Sequence, residues 1–378
     1  MANGTPDKIY PRLKDSLNAE AVQHIARSLK EIDPAFNHGG FTETALEGLD
    51  KLELKARVHH LIQALHQYLP TDFIQAAGIL QQIKIQQHQQ ETETIRAFTA
   101  WPLIDYLAVY GLEHPEVALQ ALAQLTSLFS AEFAIRPFIH HHYELTYQHL
   151  QAWTDSPDYH IRRLVSEGTR PRLPWGAQLP RFIADPAPIL PLLERLNNDS
   201  ENYVRRSVAN NLNDISKDHP DLVLQTCAAW QETPSVAKEW IVRHATRTLV
   251  KQGDPRIFAL LGYTRTLNLQ VELEIEKAVL AIGEEQSFAI KLLSRATTPQ
   301  KLLVDYVVHF MKGNGQHSGK VFKWKSLELA AGEQLILRKK HAFKLLSTRR
   351  YYPGTHFIEI KINGESAAKA AFELNDSN

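Results

Sequence analysis

The residues best suited to chemistry lie between Trp153 and Arg181, in the stretch WTDSPDYHIRRLVSEGTRPRLPWGAQLPR. Arg162, Arg163, Arg170, Arg172 and Arg181 stand there with two indoles, Trp153 and Trp175, and after Asp158 the one acidic residue is Glu167. Guanidinium groups and flat rings gathered this densely suit a partner that is anionic and planar in parts, and nucleic acid is the obvious candidate. Glu167 is the residue to question. A carboxylate among arginines, at a helix end and beside a tryptophan, is a candidate catalytic group, and its bland alternative is a surface salt bridge.

These residues need elements to hold them. Tyr159, Ile161, Leu164 and Val165 recur on one helical face, so a helix runs up to Glu167. Gly168, Pro171, Pro174, Gly176 and Pro180 then predict a loop from Thr169 to Asp185, long enough for a helical protein to mark it as functional. The helix also has echoes. SAEFAIRPFI from Ser130, SPDYHIRRLV from Ser156 and SENYVRRSV from Ser200 share a pattern, and TPSVAKEWIVRHA from Thr233 is a looser copy. The steps, 43 residues from Arg162 to Arg205 and 37 from Arg206 to Arg243, are those of paired-helix HEAT or armadillo units stacked into a solenoid. On that layout the recurring arginines, Arg162, Arg163, Arg205, Arg206 and Arg243, line the inner face. Glu167, Asn210 and Arg247 take equivalent positions, and Asp214 lies one turn beyond Asn210. With Glu132 approaching from the neighbouring unit, three carboxylates are expected to meet in one arginine-rich groove.

Composition bounds the rest. The 378 residues carry 42 basic and 42 acidic side chains, so any nucleic-acid contact has to come from a local patch. The single cysteine, Cys227, excludes an intrachain disulfide and a cysteine-based metal cluster, and points to a reducing, cytoplasmic setting. The N-terminal MANGTPDKIYPRLKD has no apolar signal core, and no run of about twenty apolar residues occurs, so no membrane role is expected. From Ser16 to about Leu261 the pattern is helical, with helices expected at Leu52–Leu69, Ile95–Tyr110, Pro115–Phe129 and Ala131–Ala152. The glutamines of Gln81–Gln90 read as a solvated helix end and connection.

After Leu261 the period becomes two. Alternation at Leu267–Ile275, Val304–Phe310 and Ile358–Ile362, with apolar runs near Phe288, Val321 and Leu335, gives about seven strands. Turns are expected at Gly313-Asn-Gly, Gly319 and Asn363-Gly364. The expected architecture is therefore an α-helical HEAT-like repeat domain, residues 1–262, followed by an immunoglobulin-like β-sandwich, residues 266–378. Within the sandwich, Lys320–Arg350 holds nine Lys or Arg against two Glu, a second basic patch that includes Lys320 and Lys323. Its alternatives are a grip on phosphates and a solvated sheet face.

The runs IRRLVSEGTRPRLPWG, from Ile161, and YVRRSVANNLNDISKDHP, from Tyr203, resemble the AlkC branch of the HEAT-like-repeat DNA alkylation-repair glycosylases. The resemblance extends over nearly the whole chain and includes the C-terminal immunoglobulin-like domain that sets AlkC proteins apart. It implies hydrolysis of the N-glycosidic bond of cationic alkylated bases, such as 3-methyladenine, 3-methylcytosine and 1-methyladenine, in double-stranded DNA. It also implies that Glu132, Glu167 and Asp214 are catalytic, that Trp175 stacks on the lesion, and that Arg163, Arg170 and Arg172 hold the backbone around it. The chemistry agrees: a cationic base already leaves well, and the sugar left behind becomes an oxocarbenium-like cation that a fixed carboxylate stabilises while a second orients water. On this reading Glu167→Gln removes excision and spares DNA affinity.

The competing reading is a non-catalytic HEAT scaffold binding nucleic acid or a protein partner, since many solenoids are interaction surfaces. Other chemistries find less support. His140-His141-His142 point about 100° apart on a helix and cannot share one ion. Nucleophile-elbow and phosphate-loop signatures are missing, and nothing singles out Lys217 or Lys238 for Schiff-base formation. The expectation is a monomeric, monofunctional glycosylase with no metal or organic cofactor.

Overall fold

A computed structural model describes residues 12–89, 95, 97–345 and 350–376. Helices occupy the chain as far as Leu260, and strands occupy it from Leu269 onward. The helical boundaries follow local chemistry. The Leu52–Leu69 pattern becomes the helix Leu54–Tyr68, which buries Val58, Leu61, Ile62 and Leu65. Asp72 starts the next helix, Phe73–Gln89, by accepting from the Gln75 N–H at 2.9 Å. That helix carries the glutamine run as far as Gln89, with Ile83 buried, while Gln90 lies outside the described residues. A 3-10 turn, Ala97–Ala100, leads into Trp101–Tyr110, and Pro115 occupies the first turn of Pro115–Leu125, where a missing N–H costs nothing.

Two helical expectations need correction. Ala131–Ala152 is not one helix. It is a turn followed by Ile135–His141 and Tyr143–Trp153, which meet at His142 (φ −131°, ψ 51°). The break lets the second helix pack Tyr143 against Phe182 and donate the Tyr147 hydroxyl to Pro188 O at 2.8 Å. The expected loop Thr169–Asp185 is shorter, because Pro180 opens the helix Pro180–Ala184 instead of breaking one, and Phe182 is buried beneath it.

The C-terminal strands are β1 Leu269–Ile275, β2 Val279–Ala281, β3 Glu285–Ser294, β4 Gln300–Met311, β5 His317–Leu329, β6 Gln334–Ala342, β7 Gly354–Ile362 and β8 Glu365–Asn375. They form a three-stranded sheet, β1-β3-β6, and a five-stranded one, β2-β8-β7-β4-β5. All pairings are antiparallel except β2 with β8. The inward residues Ile290, Leu292, Val304, Val308, Ile358 and Ile360 make an aliphatic core with an aromatic end around Phe310, Phe343 and Phe372.

Among the described residues eight strands stand where about seven were expected. The alanine-rich β8 has a composition that favours a helix, but the Asn363-Gly364 turn, with both residues at positive φ (49° and 85°), folds it back onto β7. The Gly313-Asn-Gly turn joins β4 to β5, whereas Gly319 is no turn at all: it lies inside β5 opposite His309.

Contacts divide the chain into two compact units. The first is residues 1–218 with 235–241, and the second is 219–234 with 242–378. The second unit thus takes in late helices as well as the sandwich. Leu249, Ile257 and Phe258 pack on Leu303 of β4, so the change of period near Leu261 is not where the packing divides. Among the described residues no helix is long and apolar enough to cross a membrane.

Candidate active site

Three elements of the first unit converge on a row of alternating charges. The turn before Ile135–His141 carries Glu132. The helix Tyr159–Gly168 carries Arg163 and Glu167, and the helix Asn202–Ile215 carries Ser207 and Asp214. Asp158 caps the second of these through the His160 N–H at 2.8 Å, and the helix ends at Gly168. A Cβ on Gly168 would come within 2.6 Å of Ile135, so only glycine allows the turn and the helix to pack this closely.

The contacts run in sequence. Glu132 Oε2 accepts from Arg163 Nη1 at 2.5 Å, and Arg163 Nη2 lies 3.5 Å from Glu167 Oε1. The same oxygen accepts from Arg170 Nη1 at 2.6 Å, and Arg170 Nε donates to Asp214 Oδ2 at 2.8 Å. Lys217 Nζ completes the row on Asp214 Oδ1 at 2.8 Å. The three expected carboxylates therefore share one network, in which each arginine bridges two acids. Burial opposes the charge on Arg163 and on Arg170, but the flanking carboxylates outweigh it and hold both guanidinium groups above their ordinary pKa.

The acids are not equally open. Side-chain exposure is 16% for Glu132, 6% for Glu167 and 2% for Asp214. Glu167 also accepts from the Ser207 hydroxyl at 2.6 Å, and Ser166 donates to Ser207 at 2.6 Å. Burial with three such partners, Arg163, Arg170 and Ser207, makes Glu167 part of the scaffold, so a change there acts on folding as well as on chemistry.

The arginines expected on the inner face divide by task. Arg162 grips Asp199 and donates to the carbonyls of Ser156 and Pro157, and Arg205 repeats that geometry on the carbonyls of Asp199 and Ser200. The first arginine of each RR pair thus ties down the turn before its own helix. Arg170 is buried between acids, and Arg172 is paired with Asp218 at 2.8 Å. Arg163 lies over the Tyr203 ring at 4.7 Å. Arg206 is exposed in the first unit. Arg243, also exposed, and Arg247, bonded to the His244 carbonyl, belong to the second.

Lys320 and Lys323 do not share a surface. They register with Val308 and Asp305, three residues apart on β4, and so stand on opposite faces of the edge strand β5. Arg349 of the same basic run lies outside the described residues. His140 and His141 are exposed, with their rings nearly perpendicular.

Trp175 is 59% exposed and adopts φ +66°, a backbone conformation that costs a bulky residue about 1–3 kcal/mol and persists only where neighbours enforce it. The enforcement comes from two cations, neither of them among the expected site residues. Lys55 donates to the Trp175 carbonyl at 2.7 Å, and the buried Arg136 donates to the carbonyls of Gly168, Arg170 and Ala177. Arg136 had a signal, because it occupies the position of Arg162 in the SAEFAIRPFI echo. Ser207 had one too, as a polar residue where the preceding repeat places Leu164. Lys55 had none.

A network of buried carboxylates and arginines built on repeated helix pairs, in a chain that also carries an immunoglobulin-like sandwich, defines the class. Residues 126–249 match the family described as DNA alkylation repair enzyme, and residues 270–376 match the C-terminal Ig-like domain of the YhaZ family. The chain belongs to the DNA alkylation repair enzymes and, among them, to the AlkC type. The alkylpurine DNA glycosylase AlkC of Pseudomonas fluorescens, solved bound to DNA containing an abasic site analog, is 38% identical and superposes with a TM-score of 0.89. That match covers 97% of this chain and 100% of the other. The uncharacterized protein YhaZ of Bacillus subtilis (strain 168) is 36% identical over 96% of this chain and 99% of its own.

Proposed function

We propose that the protein is a DNA glycosylase that hydrolyses the N-glycosidic bond of cationic alkylated bases, with 3-methyladenine, 3-methylcytosine and 1-methyladenine as its substrates. The observation that carries this reading is the convergence of Glu132, Glu167 and Asp214 on one arginine-bridged row. In the reaction the C1′–N bond breaks and its electron pair leaves with the base, which becomes neutral. The deoxyribose carries the positive charge until water adds to C1′ and releases a proton. Glu132, the most open of the three acids, is the group that faces the sugar cation. Glu167 and Asp214 hold Arg163 and Arg170 in register and keep the local field negative. Trp175, already extended toward solvent, stacks on the lesion or its sugar, an attraction of about 1–2 kcal/mol for a desolvated cation.

In this reading Arg162, Arg170 and Arg205 serve the scaffold. Phosphate contacts fall to Arg163, Arg172, Arg206, Arg243 and Arg247, and on the sandwich to Lys320 and Lys323 along the β5 edge. The mechanism asks for no metal and no organic cofactor.

The test is release of methylated bases from an alkylated duplex by the full chain, followed by alkali to reveal abasic sites. Base release, with strand cleavage only after alkali and no borohydride-trapped covalent complex, is expected for a monofunctional hydrolase. No release removes the glycosylase reading and leaves the scaffold.

A further inference from the structure

Phe133 follows Glu132 directly in the chain, yet it lines a different space. That space is a cavity of about 330 Å³ between the helices Leu54–Tyr68 and Trp101–Tyr110 and the segment Trp175–Ala177. Its walls combine the large aromatic rings of Trp101, Phe133 and Trp175 with aliphatic side chains such as Ile62 and Val109. Trp101 stacks on Phe133 with ring centroids 5.4 Å apart, and Trp175 stands at the mouth, where the Lys55 ammonium holds its carbonyl. Its polar side chains are the exposed Lys55 and His59 and the less exposed Asp105, whose Oδ2 accepts from the Trp101 indole N–H at 2.7 Å. No step of the proposed hydrolysis uses this cavity, although Trp175 and the Glu132–Phe133 turn belong to both places.

We propose that this cavity is a nucleobase subsite that receives the departing base after its bond to the sugar is cut, an inference that rests on the glycosylase reading. Size and chemistry both fit. The volume is at the lower end of the range for ligand pockets, roughly 300–1,000 Å³, which admits a single purine or pyrimidine and excludes a nucleotide in an extended pose. Flat walls favour a planar ring, and one carboxyl group offers it a hydrogen bond. Charge gives the direction of travel. The lesion is attracted to the carboxylate row while it is cationic, and it loses that attraction when it leaves as a neutral base. Burial pushes the Asp105 carboxyl up to about 7, against the pull of the Trp101 hydrogen bond and of Lys55, so at neutral pH the cavity presents a carboxyl able to donate to a ring nitrogen as well as accept from an exocyclic amine. Asp105 was invisible in the sequence, because Trp-Pro-Leu-Ile-Asp reads as an ordinary helix start.

The experiment titrates free 3-methyladenine into the full chain without DNA, by calorimetry, for the wild type, Asp105→Asn and Ala177→Trp, with base release from a methylated duplex measured alongside. Ala177 is exposed at the mouth, so an indole there closes the opening without disturbing the core. Saturable binding by the wild type, weakened at least tenfold in Asp105→Asn and lost in Ala177→Trp, is expected. Equal binding by all three proteins, or none up to millimolar base from a wild type that excises normally, overturns the subsite and leaves the glycosylase reading intact. Binding by a wild type that excises nothing overturns the link between this cavity and a departing base.

Discussion

Two buried regions of this protein hold carboxylates, and they treat them in opposite ways. In the first unit Glu167 and Asp214 are nearly inaccessible, yet every acid of the row touches a guanidinium or an ammonium group. In the second unit Asp305 of β4 is as deeply buried, with its Oδ1 lacking a hydrogen-bond partner and the lysines around it, Lys323, Lys251 and Lys361, acting only through their field. Burial therefore pushes the Asp305 carboxyl up to about 6. The contrast teaches that depth alone does not make an acid into a charge. Contact with a fixed cation does, and the helical unit supplies it at each acid of the row.

The largest effect should come from breaking that contact. Arg170→Met strands Glu167 and Asp214 together, and a loss of about 3–5 kcal/mol is expected in urea unfolding. An unchanged midpoint would mean that water already reaches the row and that the comparison fails. The sandwich should respond in the opposite direction. The folded pKa of Asp305 lies above its unfolded value, so the native state binds the extra proton and stability falls as pH rises from about 4 through 6. Asp305→Asn is then expected to stabilise the protein at pH 7.5 by at most about 3 kcal/mol and to be nearly neutral at pH 4. Equal effects at both pH values would contradict the assignment.

Smaller changes sharpen the picture. Ser207→Ala removes one hydrogen bond from Glu167 and should cost about 1–2 kcal/mol, additive with Asp305→Asn because the two residues lie in different compact units. Smallest of all, Arg206→Ala should leave folding unchanged and reduce the slope of log affinity for DNA against log salt by about 0.9, the share of one phosphate. A slope that does not move would take Arg206 off the DNA surface.

Much of this was legible in the sequence. The RR echoes announced stacked helix pairs, and counting along them brought Glu167 and Asp214 to one place, because helical repeats preserve orientation from unit to unit. The division of labour within each RR pair was not legible. Arg162 and Arg163 are neighbours in the chain but point to different sides of a helix, and only in the folded protein does the first hold backbone carbonyls while the second faces the acids. The expected loop hid a helix because proline has two meanings, a breaker inside a helix and a good first residue. Lys320 and Lys323 looked like one patch because a charge count ignores the two-residue period of a strand. Asp105 and Lys55 carry no motif, since their meaning comes from chains that meet in space.

The central claim concerns Glu132, the acid left open at the end of the row, and its effect on the sugar as the base departs. The direct measurement is the single-turnover rate of 3-methyladenine release from a duplex, with protein in saturating excess, for the wild type and Glu132→Gln. A rate at least 100-fold lower at an unchanged saturating concentration is the predicted result, on the scale of losing one preorganised electrostatic contact, about 10²–10³. An undiminished rate, with Glu132→Gln folded and bound to DNA, would contradict it.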